Sequence, residues 1–265
     1  GVVVPCKPDF VFWPDDGVGD LPIAVFLDGW QYHKDSVLTD LSKRMAIAKS
    51  GRFSVWTITW DDLDGVLQTR APSSTSPWPT LLEGGGANVA QTLCDAHGIG
   101  GINGLKALPP FLQLHQRLGN WRHDDVRKLA MALAVGMVMP PGSSALLQAL
   151  VSGEFWTRLQ ELSLLTDQQQ LRLGVRRLGV ALTLVAGIQG DQLGRLMSGN
   201  ADAQNEPVLI GEWNQDAGEE PERKGQWQQL WQCLNLLLHL RQSWVGAADM
   251  PGLDALGRAP VLRAG

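Results

Sequence analysis

Read for the alternation of apolar and polar positions, the first seventy residues predict a short α/β layer. Residues 8–13 (Pro-Asp-Phe-Val-Phe-Trp) are aromatic and β-branched, which predicts a strand. A turn-rich loop follows at Pro14-Asp15-Asp16-Gly17 and Gly19-Asp20. Residues 22–27 (Pro-Ile-Ala-Val-Phe-Leu) are an unbroken apolar run, the pattern of a strand covered on both faces, and Asp28-Gly29 stops it. From Asp35 to Lys49 the apolar positions Val37, Leu38, Leu41, Met45 and Ala48 recur at helical spacing, and Ser50-Gly51 reads as the stop. Residues 53–60 (Phe-Ser-Val-Trp-Thr-Ile-Thr-Trp) alternate as a strand should, and Asp61-Asp62 predicts a new helix start. Two strands that flank a helix should lie parallel, joined by a right-handed crossover.

Beyond residue 70 the pattern changes. Residues 71–88, rich in Pro, Ser and Gly, read as a linker, and 89–265 as a mostly helical region. Helices are predicted at 105–118, 122–138, 143–150, 154–164 and 167–178. Residues 180–188 and 208–213 are predicted to be two strands of a hairpin around a polar loop. Residues 225–245 predict one amphipathic helix, with Trp227, Leu230, Trp231, Leu234, Leu237, Leu238 and Trp244 on a broad face. The expected domains are therefore 1–70 and 89–265.

Composition narrows the classes. Hydrophobic residues make up 44% and charged residues 18%, an ordinary globular balance rather than a disordered one. The net charge of −5 is spread evenly, and no basic tail or stripe advertises nucleic acid. Three scattered cysteines with no CxxC pair argue against a disulfide framework or a zinc site, so a reducing, cytoplasmic setting is expected. No run of eighteen apolar residues exists, so no membrane span is expected. The start has neither an initiator Met nor a signal peptide and reads as a chain entered in mid-strand, a fragment of something longer.

The candidate chemistry lies in the first layer. Asp9 sits in the first strand and Asp28 at the end of the second. If these strands are antiparallel neighbours, the two carboxylates can converge at one sheet edge. Hard carboxylate oxygens are what a magnesium ion takes, and such an ion activates water for phosphodiester cleavage. His33 lies five residues beyond Asp28, past a glycine, in reach of the same spot as a proton donor or acceptor. Lys34 is a candidate phosphate contact, and Trp30, Tyr32, Lys43, Arg44 and Arg52 flank the site as candidate DNA contacts. Arg172, Arg176 and Arg177 cluster on the helix predicted at 167–178, where a solvated face is the more economical reading.

The set Lys7-Pro8-Asp9-Phe10, then residues 23–33 ending in Asp28-Gly29-Trp30-Gln31-Tyr32-His33, then a charged helix and the strand led by Gly51-Arg52, resembles the very-short-patch-repair-like (Vsr-like) branch of the PD-(D/E)XK nucleases. The resemblance covers about residues 6–64. It implies a restriction-endonuclease-like mixed sheet and a DNA endonuclease using Mg2+ (or Mn2+). In it, Asp9 matches the first metal-binding Asp, Asp28 or the carbonyl of Leu27 also faces the metal, and His33 matches the catalytic His. The pattern is incomplete: Phe26 stands where related domains often carry Glu, and no Lys follows in the D/E-x-K position. A catalytically degenerate module that binds DNA or docks a partner therefore stays open. Residues 225–244 resemble the C-terminal region of very large bacterial DEAD/DEAH-box helicases, some of which serve anti-phage defence. That likeness implies a helicase motor as partner, although no GxxxxGK[ST] box occurs in this chain.

Overall fold

A computed structural model describes residues 6–15, 20–67, 76–99, 109–138, 171–198, 206–241 and 243–247. The described residues are mixed α/β, with two sheets. The first holds β1 (Phe10–Phe12), β2 (Ile23–Asp28) and β3 (Ser54–Thr59) in the order β1-β2-β3. β1 runs antiparallel to β2, and β2 parallel to β3, ending on the pair Asp28↔Thr59. Between β2 and β3 lie a short α1 (Trp30–His33) and α2 (Val37–Lys49). α2 ends at Ser50, and Gly51 follows with φ 66°, a left-handed turn that favours glycine. This order of strand, strand, helix, strand matches the pattern reading, with boundaries shifted by a residue or two.

β2 is buried on both faces because each face meets a different layer. Ile23 and Val25 join the main core, while Ala24 and Phe26 pack with Val55 and with Ile47 and Ala48 of α2. β3 is buried at all six positions, more than its alternation of polar and apolar residues predicts. The reason is tertiary. Thr57, on the outer edge of β3, has its N–H and C=O taken by the Asn235 carboxamide, at 2.7 and 2.8 Å. α3 (Trp60–Leu67) starts at Thr59, whose side chain and that of Asp62 bond each other and each other's backbone N–H, a reciprocal cap.

The span expected as a linker contributes to the core. Its residues 71–75 lie outside those described, but α4 (Trp78–Leu81) buries Trp78 and Leu81, and Leu82 is buried beside them. α5 (Gly86–Ala96) then packs on α7 (His123–Val138), and α6 (Pro110–Asn120) precedes α7. The second sheet has the order β4 (Leu171–Arg177), β5 (Leu182–Gln189), β6 (Val208–Trp213), β7 (Ser243–Ala247). β5 and β6 are the antiparallel pair expected there, with α8 (Gly190–Met197) inside their connection. α9 (Glu220–Leu237) closes the layer.

Three expectations are corrected here. Residues 171–177 form a strand, not the end of a helix, so Arg172, Arg176 and Arg177 lie along β4 rather than on one helix face. Apolar residues there recur every second position, and Gly174 lies under the backbone of α7: a Cβ on it would sit 1.9 Å from the Met137 carbonyl oxygen. The predicted helix at 225–245 ends at Leu237, and β7 follows. It is buried nearly all round rather than on one face, because Gln226, Gln228, Gln232 and Asn235 are buried as well. The helices predicted at 143–150 and 154–164 lie outside the described residues.

One hydrophobic cluster joins Val25, Trp56 and Ile58 of the first sheet with α7, α9 and the second sheet. The main core thus spans both sequence regions. No helix among the described residues is long and apolar enough to cross a membrane.

Candidate functional site

The carboxyl end of β2 carries Asp28 and leads into α1, which carries Trp30, Tyr32 and His33. Asp28 closes β2 and is 2% exposed. Both its oxygens accept from Nη2 of Arg44, at 2.8 and 2.6 Å. Arg44 comes from the buried side of α2, and its guanidinium carbon lies 4.6 Å from the Phe26 ring centre and 4.1 Å from that of Trp231. Arg44 is therefore corrected from a DNA contact to a buried partner of Asp28.

His33, at the end of α1, is braced by two carboxylates. Its Nδ1 lies 2.8 Å from Asp40 Oδ2, and its Nε2 lies 3.6 Å from Asp28 Oδ1. The hydroxyl of Ser36 donates to the same Asp40 oxygen at 2.8 Å. Ser36, Asp40 and Arg44 are spaced four apart, so α2 and its leading residue present them on one stripe. The hydrogen bond to Asp40, with the charge of Asp28, holds the His33 imidazole above its ordinary pKa against burial and Arg44. Burial would raise the Asp40 carboxyl, but the bonds from His33 and Ser36 hold it below its usual range.

Asp9 stands apart from this group. It directly precedes β1 and bonds β2 twice: its N–H donates to the Val25 carbonyl at 2.9 Å, and its exposed carboxylate accepts the Leu27 N–H at 2.8 Å. That is a backbone-capping role beside β2. The structure brings together Asp28, His33, Asp40 and Arg44, and places Asp9 on the amide of Leu27 instead.

A divalent ion, as the resemblance implies, does not fit this donor set. Both Asp28 oxygens are already bonded to Arg44, and the charge beside them is a guanidinium rather than further hard oxygen ligands. Among the described residues no three His, Cys, Asp or Glu side chains are grouped to hold a metal.

The remaining predicted contacts divide. Trp30 is buried, packs on Trp227 with ring centres 5.4 Å apart, and donates to Glu220, so its place as a DNA contact is also corrected. Lys34 is held at Glu220, 3.1 Å away, and its carbonyl accepts from Gln215. Tyr32 is 74% exposed, its ring edge-on to Trp60 at 5.4 Å. Arg52 is exposed and Lys43 half-buried. Sequence reasoning missed Asp40, Ser36 and Trp60. For the first two, the four-residue spacing to Arg44 on a predicted helix was the available signal.

No family model, curated protein or solved structure matches the chain.

Proposed function

We propose that residues 6–67 are a nuclease-like module that binds DNA without cleaving it. The observation that carries the first half of this reading, the absence of cleavage, is Arg44: it takes both oxygens of Asp28 inside a buried aromatic slot, where a cleaving site needs that carboxylate for a cation. The second half rests on the surface beside β1 and α2. Trp13 is 71% exposed and packs edge-on against Phe53 at 6.1 Å. Lys7 and Arg52 are exposed next to that patch, and the charge of Lys43 reaches Cys6 within it. Exposed rings among cations suit a sugar-phosphate strand and its bases. Attachment to a helicase motor, and service in anti-phage defence, belong to the same proposal and rest on the resemblance of residues 225–244 alone.

The endonuclease reading keeps one observation in its favour, the approach of His33 Nε2 to Asp28. One experiment separates the two. The chain is mixed with labelled single- and double-stranded oligonucleotides for anisotropy, and with supercoiled plasmid in Mg2+ or Mn2+. Binding that weakens with salt and on Lys43→Ala/Arg52→Ala, with no nicking, supports the proposal. Nicking that disappears in Asp9→Ala supports the endonuclease instead. Absence of any DNA binding leaves partner docking as the function of the module.

A further inference from the structure

The parallel pair β2 and β3 ends at one level, at Asp28↔Thr59. Crevices outside the carboxyl ends of parallel strands are where α/β sheets take ligands. Here such a crevice exists, with a volume of about 230 Å³. Its walls are Tyr32 from α1 and Trp60 from α3, with Gly29 beneath them, and Gln31, Asp61 and Lys224 supply its polar groups.

The two rings are held, not incidental. Their planes meet at 61°, which makes a corner rather than a stack. A Cβ on Gly29 would lie 3.1 Å from the Trp60 ring and 3.3 Å from Tyr32, so bare backbone lets both rings close in. The reciprocal Thr59–Asp62 cap fixes the first turn of α3 and with it Trp60 and Asp61. Yet Trp60 is 48% exposed and Tyr32 more so, an unusual display for large rings beside a cavity. The volume lies below the roughly 300 Å³ of drug-sized pockets, which suits one ring system.

Its rim carries one pair of opposite charges. Lys224 Nζ is 2.8 Å from Asp61, and both side chains are about a third exposed. Such a surface pair is weak, so an anion on the ligand can draw the ammonium over. Asp61 keeps a second donor in the Gln228 carboxamide, at 2.9 Å, so its carboxylate stays bonded when Lys224 turns to the anion.

We propose that the corner between Tyr32 and Trp60 takes a single nucleobase with its phosphate, the base lying on the rings and the phosphate meeting Lys224. The proposal deepens the nucleic-acid reading and rests on it for the identity of the ligand, but it is tested at a different place in the molecule. The ligand comes either from a free nucleotide or from an unpaired base of a strand.

The test uses the full chain and three probes: AMP, a short single-stranded oligonucleotide, and the same strand made abasic. Indole N–H resonances follow AMP, and anisotropy follows the strands. Two results support the proposal. One is an AMP-dependent shift of the Trp30 indole N–H, whose residue also lines the crevice, lost in Trp60→Ala and retained in Trp60→Phe. The other is tighter binding of the normal than of the abasic strand, with a difference on the order of tenfold that Tyr32→Ala or Trp60→Ala removes. Both variants alter exposed rings, and an unchanged urea midpoint confirms that they fold. AMP binding alone points to a free nucleotide, and base-dependent strand binding alone to a strand. If AMP gives no shift and the two strands bind alike or not at all, the pocket has no such ligand. Equal strand binding with its salt dependence intact and no AMP shift overturns the pocket and leaves the DNA-binding module standing.

Discussion

Asp28 and Arg44 decide at the residue scale whether the site is built for folding or for chemistry. Their charges are buried together, so each is tolerable only with the other. Removing one leaves an uncompensated charge: Asp28→Asn is expected to cost about 3–5 kcal/mol in urea unfolding. The double replacement Asp28→Leu/Arg44→Met, which fills the slot between Phe26 and Trp231 with apolar volume, should cost less than either single change. A double variant as unstable as the sum of the singles would show that the pair is not coupled. His33 gives the second prediction. Its pKa is held up first by the hydrogen bond to Asp40 and next by the charge of Asp28. Asp40→Asn leaves Nδ1 a neutral partner, so the His33 midpoint should fall in an NMR titration. If the midpoint does not move, the bond to Asp40 is not what holds the proton.

At the scale of elements, Asn235 is the piece that lets β3 end a sheet without an open edge. One carboxamide from α9 replaces the missing strand at Thr57, in a buried place where unpaired N–H and C=O groups cost about 1–3 kcal/mol each. Asn235→Ala should therefore lower stability by roughly 2–4 kcal/mol, with faster amide exchange at Thr57 as the local signature. Loss of stability without that faster exchange would place the damage elsewhere on α9. Elements legible in the sequence were those whose own pattern settled them. The run Ile23 to Leu27 gave β2, the helical spacing from Val37 to Ala48 gave α2, and Val208 to Trp213 gave β6. Errors arose where partners far along the chain decide. Leu171, Leu173 and Val175 alternate, but three arginines suggested a helix face, and only the close passage of α7 over Gly174 shows why a strand sits there. Arg44 and Trp30 looked like DNA contacts because they flank a motif. Their burial is set by Trp231 and Trp227, about two hundred residues on. The motif brought Asp28 and His33 together as read, while Asp9 turned to the backbone of Leu27, which no spacing could announce.

The whole molecule depends on a seam between its first sheet and the rest, and histidines line it. Ser54 of β3 bonds His123 at 2.9 Å, Asp20 binds both Arg117 and the N–H of His123, and the His123 ring lies 5.0 Å from that of His239. Burial pushes His239 well below its ordinary value, and pushes His123 and His97 down as well. Each of these three is neutral when folded and takes a proton more readily when unfolded. Stability is therefore full above pH 6.5, the unfolded value, and declines as pH falls below it. His33 acts in the opposite sense: its raised pKa adds stability below 6.5 that is lost as pH rises through the folded value. Three depressed groups, one of them fully enclosed, outweigh one raised group that is partly exposed. The urea midpoint should thus be lower at about pH 5.5 than at about 7.5, and His239→Phe, which keeps a ring against His123, should remove much of that difference. An acid-insensitive midpoint, or a profile unaltered by the Phe variant, would mean that His239 is not the group acid reaches. Since the protonated ring would sit between Arg117 and His123, acid should part the first sheet from α6 and α7 before it melts either sheet. Amide exchange at Ser54 and His123 should then rise ahead of that at Val25 and Leu184.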